Sequence, residues 1–463
     1  MLRLHDSALG RVVDVVPRVD GQFSMYVCGP TVDGPPHIGH GRFTLTWDVV
    51  RRWLEFTGLE VNHVSNVTDI EDKIIARAAR EHRSETSVAE EYEAQWWEVM
   101  DALGVLRPTS APHATAYVAE MIEMIGTLLD TGHAYVTDDG VYLDTLTVPD
   151  YGLLAGQPLD TLRAGARVEI DEQKRTPFDF ALWKAAKPGE PSWEAPFGAG
   201  RPGWHTECVV MSLALLGEDF DLHSGGQDLK FPHHENERAQ AVALGKGFAR
   251  HWAHNGWVVV EGVKMSKSLN NFTTLADLLS RADARAYRLL LLRAHYRGPI
   301  EVTTETIADA ERALARLDEV ARRFDLTPIE VMAPVRRSEH AVIGEHPDVV
   351  AAFESFVDDD LNTPSAVATL FDLAASANRL ADAGDLDVAR GIATLLMVLA
   401  ASLGLAVRGA DLSLDEHSAG LAAARDAARS RGEFAEADRL RDELVALGFV
   451  VEDTAAGTRV RRA

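Results

Sequence analysis

Residues 22–40 read Gln22-Phe-Ser-Met-Tyr-Val-Cys28-Gly-Pro-Thr-Val-Asp-Gly-Pro-Pro-His37-Ile-Gly-His40, and this stretch decides the fold. Residues 22–28 alternate apolar and polar side chains as a strand does. Gly29-Pro30 and Gly34-Pro35-Pro36 then break the backbone before an amphipathic run from His37 to Thr57 that predicts a helix. Gly58 ends that helix and 59–67 reads as a second strand, which completes the strand-helix-strand unit of a parallel α/β sheet. Such sheets offer a nucleotide-sized crevice at their strand ends.

Outward from this unit, 86–133 is helical by pattern, while 134–203 is rich in Gly, Pro and Trp with short strand-like pieces and reads as an insertion. The doubly wound pattern resumes with helices at 207–216 and 231–243 and strands at 219–223 and 256–261. The fold class is therefore α/β: a split Rossmann-like parallel-sheet domain with an insertion, then an α-helical bundle and a small α/β C-terminal domain. The expected boundaries are 1–120 and 204–260 for the two halves of the sheet domain and 121–203 for the connective insertion. They continue with 261–302 for a following region, 303–408 for the bundle and 409–463 for the C-terminal domain. In that last part, helices are expected near 417–430 and 433–447, followed by a strand-like segment and a basic tail.

The 463 residues exceed what one core usually organises, and 46% hydrophobic with 25% charged content is globular. A net charge of −25 argues against holding nucleic acid by bulk electrostatics, so any RNA site has to be a local basic patch. The first residues show no apolar run behind their charges, and the apolar stretch 392–407, interrupted by Thr394, Ser402 and Gly404, is short for a bilayer span. A cytoplasmic protein without membrane association is expected. Two cysteines, Cys28 and Cys208, suit metal binding, catalysis or burial better than a disulfide in that compartment.

Three motifs carry chemistry. His37-Ile-Gly-His40 enters a helix from a Gly/Pro loop, where unpaired N–H groups, the positive dipole end and two imidazoles can meet a triphosphate. Lys264-Met265-Ser266-Lys267-Ser268 follows a strand and can close on the same phosphates, neutralising charge as pyrophosphate leaves. Cys28, Cys208, His233 and Glu237 supply thiol, imidazole and carboxylate donors that suit zinc. His233 and Glu237 stand four apart on a helix expected to open at Pro232.

The first two motifs together resemble the class I aminoacyl-tRNA synthetases. Tyr26-Val-Cys-Gly-Pro-Thr-Val, Asn66-Val-Thr-Asp-Ile, Phe180-Ala-Leu-Trp-Lys, Arg201-Pro-Gly-Trp-His-Thr-Glu-Cys208 and Asp228-Leu-Lys-Phe-Pro-His-His-Glu-Asn-Glu237 are similar to signature segments of the cysteinyl-tRNA synthetases, as is Phe434-Ala-Glu-Ala-Asp-Arg-Leu-Arg-Asp-Glu-Leu. The resemblance implies activation of L-cysteine with ATP and Mg²⁺ and its transfer to the 3′ end of tRNA(Cys), by a chain expected to be a monomer. It implies that Cys28, Cys208, His233 and Glu237 hold one zinc ion that grips the substrate sulfur, and that Gly29, Thr31, Thr68, Trp204 and Asp228 form the amino-acid pocket. ATP would meet His37, Gly39, His40 and Lys264 to Ser268, with His37, His40, Lys264 and Lys267 stabilising the reaction. Residues 261–302 would contact the tRNA stem, 303–408 would bind tRNA and 409–463 the anticodon. Gly41-Arg-Phe, Ser224-Gly-Gly-Gln227 and Asn270 depart from the usual text of the family.

A metal suits such a task, because apolar contacts separate cysteine from serine or alanine by only about 1–3 kcal/mol, whereas zinc prefers thiolate to hydroxyl or methyl. Four protein ligands normally close a zinc site, and Glu237 is the ligand expected to yield to substrate. A cysteine ligase with a small amine acceptor, such as that of the mycothiol pathway, resembles the catalytic half but lacks the terminal region present here.

Overall fold

The computed structural model describes residues 1–156, 173–260, 263–264, 273–409, 416–447, 449–454 and 457–462. An antiparallel hairpin of β1 (Arg3–Asp6) and β2 (Arg11–Asp14) precedes β3 (Gln22–Val27), which passes through the Gly/Pro loop into α1 (Ile38–Phe56) and β4 (Glu60–Ser65). Phe23, Met25, Tyr26 and Val27 of β3 are buried, as a central strand of a covered parallel sheet requires. α1 begins where His37, in extended conformation, accepts the His40 N–H at Nδ1 and His40 Nδ1 accepts the His37 N–H, a reciprocal cap made entirely of histidine.

Helices α2 (Asp72–Glu81), α3 (Glu85–Ala102) and α4 (Val118–Asp130) fill the stretch read as helical. The insertion is a four-stranded antiparallel sheet of β5 (Ala134–Thr137), β6 (Gly140–Leu143), β7 (Phe180–Ala185) and β8 (Gly200–Pro202), in that order. Asp72 of α2 pairs with Lys184 of β7 and Arg201 of β8. The main sheet resumes after α5 (Trp204–Leu216) with β9 (Leu222–Gly226), α6 (Glu235–Ala243) and β10 (His251–Asn255). Its order is β10-β9-β3-β4 with every pair parallel, so the chain's first half and its return meet between β3 and β9. That switch point opens the crevice in which ligands of such sheets bind.

Three expectations are corrected. The strand expected at 219–223 starts at Leu222: Asp219 has a positive φ of 55°, and the Asp221 carboxylate ties down the Arg18 and Ser24 N–H groups instead of standing in a ladder. The helix expected from 231 starts at Glu235, because Lys230–His234 form a wide turn in which Phe231 is extended. The strand expected at 256–261 is not part of the main sheet. β10 takes the sheet edge, and β11 (Val258–Val260) instead pairs with β12 (Val263–Lys264) and β13 (Ile300–Glu301) in a separate three-stranded sheet.

Helices α7 (Leu275–Leu279) and α8 (Ala284–Leu292) pack beside α1. A Cβ on Gly41 would lie 2.8 Å from Tyr287 and 2.9 Å from Leu275, so glycine is what the close approach admits. The buried Asp48 carboxylate of α1 accepts from both Arg52 and Arg288 and from the Leu106 N–H. Burial raises its pKa and the two guanidinium charges more than offset this, leaving it below the usual carboxylate value.

The chain divides into two compact units: Met1–Glu311, Val331–Thr369 and Ser402–Leu405 form one, and Arg312–Glu330, Leu370–Ala401 and Ala406–Ala463 the other. The longer helices between 304 and 402 are α9 (Thr304–Arg323), α10 (Pro347–Asp358), α11 (Thr363–Asp382) and α12 (Leu386–Ser402). The apolar stretch 392–407 falls mostly in α12, whose residues 395–401 are buried, and no described helix is long and apolar enough to cross a membrane. In the second unit, α13 (Glu416–Ser430) and α14 (Phe434–Ala446) cover an antiparallel hairpin of β14 (Phe449–Thr454) and β15 (Gly457–Arg462) over a core of Ala422, Leu444, Phe449, Val451 and Val460. The expected basic tail is thus the second strand of a hairpin.

Candidate active site

The crevice at the C-terminal ends of β3 and β9 is a cavity of about 450 Å³. Its lining includes Cys28, Gly29 and Thr31 after β3, His37, Gly39 and His40 at the start of α1, Trp204 at the start of α5, and Asp228 after β9. Each is an expected site residue, so residues up to 200 positions apart share one wall because the parallel sheet delivers every strand end to the same side. Thr68 stands behind the wall, fully buried: its N–H donates to Pro30 O, and its hydroxyl donates to Glu207 Oε2 at 3.0 Å. Lys264 ends β12, while Met265, Ser266, Lys267 and Ser268 lie outside the described residues.

Both histidines of the first motif use Nδ1 in the cap of α1, and their rings stack at 3.6 Å between centroids. Any contact from these rings to a ligand is therefore made through Nε2, beside the positive end of a 19-residue helix.

Deeper in the crevice, one ligand atom from each of Cys28, Cys208, His233 and Glu237 lies within 4.8 Å of the others, all four side chains being buried. The Cys28 and Cys208 sulfurs are 3.7 Å apart, Cys28 Sγ to Glu237 Oε1 is 3.5 Å, Cys208 Sγ to His233 Nε2 is 3.7 Å, and His233 Nε2 to Glu237 Oε1 is 3.1 Å. A tetrahedron with bonds of about 2.3 Å to sulfur and about 2.0 Å to nitrogen and oxygen has edges of roughly 3.3 to 3.8 Å. The donor set therefore already has the size of such a site, with the shortest edge slightly compressed.

Electrostatics point the same way. Burial pushes the Cys28 thiol well above its usual pKa, and the neighbouring Cys208 and Glu237 add to this. The contact with Cys28 lowers Cys208, but burial and the Glu237 and Glu207 charges outweigh it, so that thiol is raised too. Burial also holds His233 neutral, its pKa well below the ordinary imidazole value. Four buried donors with no cation among them are an unfavourable arrangement that a divalent ion reverses, because it stabilises the anionic sulfurs.

Several contributors were not read from the sequence. His205 Nδ1 meets His233 Nδ1 at 2.8 Å, and Trp204 stacks on the His233 ring at 3.9 Å, so the imidazole is fixed on its far nitrogen and on one face. His223 Nε2 holds the outer oxygen of Glu237 at 2.7 Å. Asn66 Oδ1 accepts the Gly29 N–H at 2.9 Å and lies 3.7 Å from Cys208 Sγ, while its amide nitrogen donates to Thr68. A second grouping, Cys28, His223, His234 and Glu237, is also close enough for an ion. It would take His223 from Glu237 and leave Cys208 without a role, so the first set is the better ligand sphere. Polar residues beside a motif are the available signal: His205 and Glu207 stand three positions and one position before Cys208, and Asn66 opens one of the signature-like segments.

The split parallel sheet, the histidine-capped helix at its switch point and the strand leading to Lys264 define a class I aminoacyl-tRNA synthetase. Residues 14–312 match the family described as tRNA synthetases class I (C) catalytic domain. A solved methionyl-tRNA synthetase of Mycobacterium tuberculosis, in complex with methionyl-adenylate, has the same fold, with a TM-score of 0.59 at 14% identity over 82% of this chain and 90% of that one. Residues 352–408 match the DALR domain and 411–461 the cysteinyl-tRNA ligase anticodon binding domain. Curated relatives from Methylobacillus flagellatus and Alkalilimnicola ehrlichii, both cysteine–tRNA ligases, are each 45% identical over the full length of both chains. The chain belongs to the cysteine–tRNA ligase family.

Proposed function

We propose that this chain uses ATP to convert L-cysteine to its adenylate and transfers the cysteinyl group to the 3′ end of tRNA(Cys), with a zinc ion held by Cys28, Cys208, His233 and Glu237 as the reader of the thiol. The observation that supports it best is that Cys28 belongs both to the four-donor cluster and to the wall of the cavity that His37 and His40 line. An ion there, when bound, supplies a Lewis acid that prefers thiolate to hydroxyl, a distinction that pocket shape alone makes poorly.

The chain's own residues account for the rest. Trp204, flat on His233, stands between the cavity and that imidazole and would flank the substrate thiol. Asp228, after β9 on the cavity wall, would accept a hydrogen bond from the α-ammonium of the substrate. The carboxylate of the substrate cysteine attacks the α-phosphorus of ATP, and pyrophosphate departs with Mg²⁺. His37 and His40, at the positive end of α1, together with Lys264 and Lys267, offset the charge that develops, so positioning and electrostatics suffice without a protein nucleophile. Of the four residues that would hold the ion, Glu237 is the one whose second oxygen is already held, by His223, a bond that would keep its carboxylate in place if it gave up the ion.

Cysteine-dependent exchange of pyrophosphate into ATP, followed by charging of a tRNA(Cys) transcript, tests the reaction. Failure to charge, with activity on a small amine instead, would overturn the acceptor assignment. Elemental analysis tests the metal: one zinc per chain is expected, lost in Cys208→Ala together with rejection of serine.

A further inference from the structure

Arg42 follows the histidine pair of α1 by two positions and also lines the cavity, yet it is only 3% exposed. Its guanidinium donates Nη1 to Trp257 O at 3.0 Å, and Nη2 to Tyr296 O at 3.0 Å and to Gly298 O at 2.5 Å. No carboxylate among the described residues pairs with it, in contrast to buried Arg52 and Arg288, which share Asp48. Burial alone draws its pKa down to about 10, still far above neutrality, so a full positive charge sits at the back of the cavity.

The three carbonyls belong to two stretches of backbone that also pair with each other, the Ile300 N–H donating to the same Trp257 O that Arg42 engages. Trp257 leads from the cavity wall at Asn255 and Gly256 into β11, and 296–298 lead into β13. The Gly256 N–H donates to the same Tyr296 O that Arg42 engages. A Cβ on Gly256 would stand 2.5 Å from both Arg297 O and Gly298 O, so the wall is drawn tightly against this second strand. β11 then continues toward β12 and Lys264. A planar guanidinium spreads its donors over separate nitrogens and so spans three carbonyls that a lysine would have to reach from a single nitrogen.

We infer that Arg42 is a positioning residue for ATP: it locks the Asn255–Val258 wall, and the strand leading to Lys264, in register with His37 and His40, and leaves its own charge unspent toward the triphosphate. The inference rests on the reading of the cavity as an ATP site, and the test separates the two. ATP affinity of the full-length protein, measured by equilibrium dialysis without cysteine, is compared for wild type, Arg42→Lys, Arg42→Met and Gly256→Ala, alongside cysteine KM, kcat in pyrophosphate exchange and metal content. Misplacing a wall by about 1 Å can cost about a hundredfold in rate, so a loss of that order in kcat is expected for Arg42→Met. A weakening of ATP binding of roughly tenfold should accompany it, given the removal of both charge and fork. Arg42→Lys, which keeps the charge and is the variant least prone to unfold, should weaken ATP by a few-fold, and Gly256→Ala should do the same from the opposite side. Cysteine KM and metal content should not move in any of them. Native ATP affinity in both Arg42→Lys and Gly256→Ala, or equal losses for ATP and cysteine, would overturn the assignment and make Arg42 a purely structural strut. A wild type that binds no ATP would instead defeat the reading of the cavity.

Discussion

On the proposed zinc reading, His205 acts on the site through His233 without being one of the four ligands. Its ring nitrogen fixes His233 at the edge remote from the cluster, and partners of that kind typically tune metal affinity by about 10–100-fold when removed. His205→Ala is therefore expected to lose zinc to a competing chelator that much more readily while keeping its fold; unchanged metal retention would deny His205 this role. His63 is a residue-scale liability of another kind. It faces a small internal cavity of about 30 Å³, and neither ring nitrogen has a hydrogen-bond partner among the described residues. Burial draws its pKa down to about 3, with the Arg51 charge adding and Asp48 opposing. The unfolded chain takes up the proton near pH 6.5 and the folded one does not, so stability is full above that pH and declines as pH falls from there toward 3. Each pH unit in that window removes about 1.4 kcal/mol per such histidine. His63→Leu should flatten the decline between pH 6.5 and 4.5 by about that slope in urea denaturation, and identical slopes in the two proteins would refute the assignment.

At the scale of elements, what could be read depended on whether burial and polarity agreed. β3 and α1 alternate and repeat as elements with one apolar face should, and both were recovered to within a residue of their ends. β9 and β10 are as buried as β3 but are written with His223, Ser224, His254 and Asn255, which a pattern reader assigns to a surface. Part of that polarity serves the site, His223 holding Glu237, while His254 is spent on Ser7 and His234. The four donors, scattered from position 28 to 237, could be joined only by family resemblance; distance alone shows that one ion could serve them. The departure at Gly41 has a packing reason. Gly41→Ala places a methyl inside contact distance of Tyr287 and Leu275, and overpacking of this kind costs about 1–3 kcal/mol. Chemical denaturation should show that loss, along with weaker ATP binding as α1 shifts with its histidine cap; a neutral or stabilising effect would mean that α7 and α8 give way freely.

For the whole molecule, a net charge of −25 repels RNA on average, so acceptor binding has to be concentrated where the chain supplies a specialised surface. The segment matched by the anticodon-binding family, 411–461, packs α13, α14 and the β14–β15 hairpin around its own small core, with Arg425 donating to Thr458 Oγ1 and Asp426 accepting the Thr458 N–H. Among the described residues, the cavity with its histidine cap and donor cluster is lined by residues 28–258. On the proposed function, activation of cysteine and selection of the tRNA are written in separate stretches of chain, so a protein ending at residue 409 should keep pyrophosphate exchange within about twofold while its kcat/KM for tRNA charging falls by about a hundredfold or more, the loss lying chiefly in KM because uniform binding is what has been removed. The split matters more than the size of the loss: if exchange fell in step with charging, the C-terminal segment would be part of the catalytic fold, and the small amine-ligase architecture, which works without it, would no longer be a reasonable template for the catalytic half.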